Sequence, residues 1–130
     1  MAESNHVVPV ICSGIAAVLL KKIDDEYKVL LLKRASSVLN GAWCYIGGSI
    51  EEGEKAWEAA LREIREETGI SEVSLYTSNA FDEFYSPEGN FIYKAPVFVG
   101  YVAGSQNVVL NGEHSEYRWL TGSNDQKGYA

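Results

Sequence analysis

The sequence predicts one domain of mixed α/β class, a sandwich built around a largely antiparallel sheet. Several strand-like apolar stretches are separated by turn residues, and one strongly amphipathic helix interrupts them. No repeat, low-complexity tract or shift of composition divides the 130 residues into a second unit.

The elements follow in order. Val7–Lys22 is rich in Val, Ile, Leu and Ala and reads as one long buried strand, bent near Gly14. The charged turn Asp24-Asp25-Glu26 leads into a second strand, Tyr27–Lys33, so the two form a hairpin. After a loop, Arg34–Gly41, a brief strand over Ala42–Ile46 stops at Gly47-Gly48. The period then changes. From Lys55 to Thr68, Trp57, Ala60, Leu61 and Ile64 fall at helical spacing, and Gly69 ends the helix. Trp57, Leu61, Ile64 and Ile70 are expected in the core. Strands are expected at Val73–Tyr76, Ala80–Tyr85 and Phe91–Val102, the last two joined by a turn at Ser86-Pro87-Glu88-Gly89-Asn90. A short strand, Tyr117–Leu120, precedes a polar tail.

A net charge of −7 argues against sequence-independent nucleic-acid binding, which depends on Lys and Arg neutralising phosphates. It does not argue against a small phosphorylated substrate, because a metal ion can supply the missing positive charge. No apolar run reaches the ~20 residues of a membrane span. The first residues lack the basic start of a signal peptide, so the cytoplasm is the expected address. Cys12 and Cys44 are too few for a disulfide scaffold and lack zinc-site spacing; both are expected as reduced core residues.

Between Glu51 and Glu67 lie seven glutamates. On a helical wheel Glu67 falls about 40° to one side of Glu63 and Glu66 about 60° to the other. The three therefore share a face, while Trp57, Leu61 and Ile64 point elsewhere. Like charges at these spacings oppose one another, and acids near a helix C-terminus oppose its dipole. A bound cation would reverse both penalties. Hard oxygen ligands suit Mg²⁺, Mn²⁺ or Ca²⁺, and an open helix face suits Mg²⁺, which keeps waters and shares substrate phosphates. The competing reading is a solvated acidic face balanced by Arg62 and Arg65.

Spacing decides between them. Gly48, five residues, Glu54, seven residues, then Arg62-Glu63-Ile64-Arg65-Glu66-Glu67-Thr68-Gly69-Ile70 matches the box of the Nudix hydrolase family at every fixed position. The chain resembles that family over about residues 7–120. The resemblance implies an α/β/α sandwich and Mg²⁺-dependent hydrolysis of a nucleoside diphosphate linked to another moiety, with Mn²⁺ as a substitute ion. It implies metal ligation by Glu63, Glu66 and Glu67, with the carbonyl of Gly47 as a further oxygen. Glu54 and Arg62 are expected to pair and brace the loop, and Gly53 and Gly69 to permit the turn and the helix end. The run Gly112–Leu120 looks like the late strand of the family, in which a glutamate completes the metal site or acts as base. Glu113 is preferred there over Glu116, and His114 is read as a surface or supporting residue. Glu66, Glu67 and Glu113 are thus the expected catalytic groups. Arg34, Gly48, Phe84 and Tyr85 are the expected substrate contacts, with Phe81, Phe91 and Tyr93 as further rings able to stack on a base or pterin.

The late strand resembles the nucleoside triphosphate and dihydroneopterin triphosphate pyrophosphatases of the family. ADP-ribose and dinucleoside polyphosphates stay open as substrates. Two other classes also stay open, an isomerase using Cys44 and a nucleotide-sensing module without catalysis. Strand edges would permit a homodimer. Two features depart from the family. Ile46 stands where many members have proline, and Thr121–Ala130 is short and polar where members close with a helix. Truncation, or a partner in place of that helix, would account for the second departure.

Overall fold

The computed structural model describes residues 6–121. The expected polar tail beyond Thr121 lies outside them. Eight strands and one helix run in the order β1 Val10–Ile11, β2 Gly14–Ile23, β3 Glu26–Arg34, β4 Trp43–Cys44, β5 Ile46–Ser49, α1 Ala56–Thr68, β6 Val73–Ser86, β7 Phe91–Val102 and β8 His114–Leu120. All eight strands belong to one sheet, whose main path is β1-β7-β2-β3-β4; β5 pairs with β2, β6 with β7 and β8 with β3. Only β1–β7 and β2–β7 run parallel, so the sheet is mixed and largely antiparallel, as expected. Among the described residues α1 is the one α-helix.

The β2–β3 hairpin is closed by Asp24 and Asp25, both at positive φ (51° and 68°), with Ile23 paired to Glu26. Two successive positive φ angles match the right-handed twist of the flanking strands, and Asp tolerates them better than most side chains. Alternation along β2 and β3 sends Ala17, Leu19, Leu30 and Leu32 to one face, where they pack with Ile46, Ile64 and Ile70. Ile15 and Phe98 join Ala59 and Ala60 of α1 beside them. The small alanines let the helix settle close to β2. Val108 and Leu110, on the irregular segment after β7, close this core from the far end of the helix.

Several boundaries differ from expectation for identifiable reasons. The long first strand is broken at Cys12-Ser13, and Val7, Val8, Val10 and Ile11 are exposed. Pro9 has no N–H for a ladder; its carbonyl instead accepts from Ile92, and only the short β1 follows. Cys12 is consequently exposed, not a core residue, and Cys44 is only half-buried. The brief strand before the glycine pair divides in two. β4 stays with β3, while β5 crosses to β2 and carries Gly47 and Gly48 inside it. β6 is one strand, not two. Its register with β7 shifts between Thr77 and Phe81, where Ser78 Oγ donates to the Val97 carbonyl and accepts from the Ala80 N–H. Trp57 is 48% exposed and is not core. It sits at the start of the helix and, with Leu61, lines a shallow groove against Leu75, Tyr76 and Phe98.

Candidate active site

The site begins with the loop from β5 to α1. Glu54 takes two hydrogen bonds from Arg62, at 2.7 Å and 3.1 Å, and its carboxylate also accepts the Glu51 N–H at 2.9 Å. Arg62 reaches back to the Ser49 carbonyl at 2.8 Å. One guanidinium thereby ties the end of β5, the loop and the helix into a unit, as the expected Glu54–Arg62 pair requires. Its hydrogen bonds to Glu54 hold Arg62 firmly protonated and hold the Glu54 carboxyl below its usual range. Glu58 accepts the Lys55 N–H at 2.8 Å and covers an otherwise free donor at the helix start. At the other end, Gly69 adopts φ 74° and returns its N–H to the Arg65 carbonyl at 2.8 Å.

On this braced helix Glu63 and Glu67 face β5. Gly48 leaves room there, because a methyl group at its position would overlap the Glu63 carboxylate and force that side chain to move. Glu67 is 3% exposed, and the Gly47 amide donates to it. Burial first, then the charge and hydrogen bond of Glu63 and the charge of Glu113, push its carboxyl up to about 9. Glu63 is shifted upward as well, again mainly by burial. Two carboxylates pushed upward side by side in a buried place, with the charge of Glu113 acting on one of them, form a cluster whose mutual repulsion a cation would relieve. The donors are hard oxygens, which suit a divalent ion such as Mg²⁺ or Mn²⁺. Among the described residues no three His, Cys, Asp or Glu side chains are gathered closely enough to hold a metal ion by themselves. An open site that shares its ion with substrate phosphates needs no such set.

Glu67 opens onto a cavity of about 250 Å³ lined also by Arg34, Ser36, Cys44, Tyr45, Gly47, Glu113 and His114. Two elements far from the helix in sequence build its other wall. Arg34 ends β3 and is held by hydrogen bonds to the Val38 carbonyl (3.0 Å) and Ser36 Oγ (3.2 Å). Glu113 ends the turn before β8 and His114 opens the strand, and a bulge between Lys33 and Arg34 pairs Arg34 with His114. Asn111 fastens this wall to the helix, donating to the Glu66 carbonyl at 3.0 Å and accepting the Glu113 N–H at 3.0 Å. The arrangement places one guanidinium opposite a group of carboxylates, which suits a phosphorylated ligand carrying its own cation.

Of the residues expected in the site, Arg34, Gly47, Gly48, Glu63, Glu67 and Glu113 come together. Glu66 points outward and its carboxylate bonds to Arg62 at 3.2 Å and 3.3 Å. Glu116 lies outside, paired with Lys33 at 3.1 Å. Phe84 and Tyr85 line neither this cavity nor the one beside it; they are exposed on the β6–β7 hairpin. Phe84 stacks on Tyr93 at 5.2 Å, and the Tyr85 hydroxyl donates to Asn90 at 2.7 Å.

His114, read from the sequence as a surface or supporting residue, is not on the surface but buried in the site. Its Nε2 stands 3.8 Å from both Glu67 and the Cys44 sulfur, and its Nδ1 has no partner among the described residues. Burial holds this imidazole below its usual value and therefore neutral. The bulge hid it, because simple alternation along the late strand gives no sign that His114 faces Arg34. Burial likewise pushes the Cys44 thiol up, the opposite of what a nucleophilic cysteine requires.

A glutamate helix braced by an arginine, bordering a cavity that sets Arg34 among carboxylates, is the arrangement to be compared with known families. The sequence profile of the NUDIX domain matches residues 13–122, and the chain belongs to the NUDIX family. A nucleoside triphosphatase, NudI, of Escherichia coli O139:H28 (strain E24377A / ETEC) is 28% identical over 127 residues, covering 92% of this chain and 83% of that protein. Putative nudix hydrolase 1 of Caenorhabditis elegans is 41% identical over 56 residues, 43% of this chain but only 15% of that protein. Among solved structures, the Escherichia coli dihydroneopterin triphosphate pyrophosphohydrolase is similar with a TM-score of 0.72 at 26% identity, covering 92% of this chain and 85% of that one. No helix among the described residues is long and apolar enough to cross a membrane.

Proposed function

We propose that this protein is a Nudix pyrophosphohydrolase that uses Mg²⁺ to hydrolyse a pyrophosphate bond in a nucleoside triphosphate or a related triphosphate. One observation carries the reading: Glu67 is buried between the charges of Glu63 and Glu113 at the wall of a cavity that also holds Arg34. The triphosphate preference is supported by relatives named as a nucleoside triphosphatase and a dihydroneopterin triphosphate pyrophosphohydrolase.

Glu63 and Glu67 would hold the ion, with the Gly47 carbonyl as a further oxygen, and Glu66 would join them by turning away from Arg62. The chemistry such an ion would supply there is neutralisation of phosphate charge and acidification of water. Arg34 takes phosphate oxygens from the opposite wall. Glu113, at the exposed rim, accepts the proton of the water that attacks phosphorus in line. His114, kept neutral beside Glu67, orients that carboxylate without adding charge. Positioning and preorganised charge supply most of the acceleration. The same reading places the protein in the cytoplasm, with a homodimer as the assembly its strand edges permit.

The test is phosphate and pyrophosphate release from nucleoside triphosphates, ADP-ribose, diadenosine polyphosphates and dihydroneopterin triphosphate, with Mg²⁺ or Mn²⁺ and with chelator, beside Glu67→Gln. Activity on one class that needs the ion and falls at least about a hundredfold in the variant supports the proposal. A folded protein that binds nucleotide yet turns over none of these compounds overturns it.

A further inference from the structure

A second cavity, of about 290 Å³, adjoins the first and shares Cys44, Tyr45 and Gly47 with it. Its character is different. Leu31 and Ala16 are buried beneath it and Trp43 and Tyr45 are its aromatic residues. Trp43 is fixed by the Arg118 guanidinium, 4.6 Å from its ring centroid. One charged group lines this apolar space, Asp82 of β6. Its neighbour Glu83 is paired with Lys94, whose ammonium also lies 4.4 Å from the Phe81 ring centroid. Among the described residues no hydrogen bond or ion pair engages Asp82 itself.

We propose that this cavity reads the base of the substrate and that Asp82 selects a ring edge presenting two adjacent donors, an N–H beside an amino group, as in guanine and in a pterin. The inference rests on the triphosphate reading above and names its substrate class. An ionised carboxylate only accepts hydrogen bonds, and its two oxygens match two parallel donors. Guanine offers N1–H and the 2-amino group side by side, and a pterin offers the same pair. Adenine sets its single amino group between ring nitrogens that accept, so a carboxylate there meets lone pairs. Hypoxanthine keeps the N1–H and lacks the amino group. Trp43 and Tyr45 accept any flat ring; the carboxylate discriminates among them.

The test measures binding and turnover separately. Binding of dGMP, dIMP and dAMP with Mg²⁺ is followed by tryptophan fluorescence in the wild type and in Asp82→Ala, an exposed position whose loss leaves the fold intact. kcat/KM is then measured for dGTP, dITP, dATP and dihydroneopterin triphosphate. The wild type is expected to prefer the guanine compounds over the hypoxanthine ones by about tenfold or more, a hydrogen bond to a charged group being at stake. In Asp82→Ala that preference collapses to within about twofold, with dAMP binding unchanged or improved. Equal handling of guanine and adenine by the wild type, or an undiminished guanine preference in the variant, overturns the proposal. The faster of dGTP and dihydroneopterin triphosphate distinguishes the two carriers of the edge, and both are expected to depend on Asp82. Guanine-selective binding without turnover of any triphosphate would refute the hydrolase reading while leaving the base selection standing.

Discussion

Replacing Gly48 by alanine separates stability from chemistry at the glutamate helix. A Cβ built there collides with the Glu63 carboxylate and approaches its Cγ at 2.8 Å, while no positive φ forbids the residue. The backbone of β5 can therefore stay paired with β2, and the strain falls on the Glu63 side chain. Inserting a methyl group into packed surroundings costs about 1–3 kcal/mol. The expected fall in Tm is therefore moderate, roughly 3–15 °C for a domain of this size. Relief comes from swinging the Glu63 carboxylate by about 1 Å or more, and a misplacement of that order costs about a hundredfold in rate. The expected result is a folded protein with kcat/KM down about a hundredfold and a raised Mg²⁺ requirement. Calorimetry and a metal titration of turnover measure the two effects. Turnover within about threefold of wild type, at unchanged metal dependence, would refute the placement of Glu63 against Gly48 and its role as ligand.

Three further outcomes follow from other parts of the structure. In chelator, wild-type stability should fall as pH rises between about 4.5 and 9, because the folded Glu67 keeps its proton longer than the unfolded one; Glu67→Gln should flatten that profile in denaturant melts at several pH values. Thr68→Val removes a hydroxyl that donates to the Ile64 carbonyl at 2.6 Å and accepts the Ile70 N–H at 3.1 Å, both buried. Stranding that N–H should cost about 1–3 kcal/mol by urea unfolding, with activity preserved below the transition. Asn111→Ala releases the Glu113 segment from the helix end. It should cost about 1 kcal/mol and lower kcat severalfold with little change in KM, read from steady-state kinetics.

What was legible in the sequence was what lies within one stretch of chain. The helix and its glycine stop follow from spacing, the Glu54–Arg62 brace from the family resemblance, and the structure has them; of the three glutamates that spacing put on one face, Glu63 and Glu67 face the site while Glu66 turns to Arg62. The hairpins and the long β7 were legible by the same local logic of alternation and turns. Pairing over distance was not. Nothing near Ile46 says that β5 leaves β3 for β2, and nothing near Glu116 announces the bulge that brings His114 to Arg34. Trp57 was read as core because helical period identifies an apolar stripe without stating its width, and this residue falls at the stripe's open margin. Phe84 and Tyr85 carry the right chemistry for a base, yet hairpin geometry takes them away from the cavities. Asp82, two residues earlier, lines the second one.

The shared wall of the two cavities has a consequence for how such a protein can diversify. Glu63, Glu67 and the Gly47 carbonyl sit on one short continuous run of chain, braced by its own arginine, with Glu113 reaching the site from the far wall. The second chamber shares Cys44, Tyr45 and Gly47 with the first, whereas Trp43 and Asp82 line the second alone. Substitutions at Trp43 and Asp82 can thus reshape what is accepted while leaving the cutting apparatus undisturbed, a separation of tooling from appetite written into the chain's connectivity.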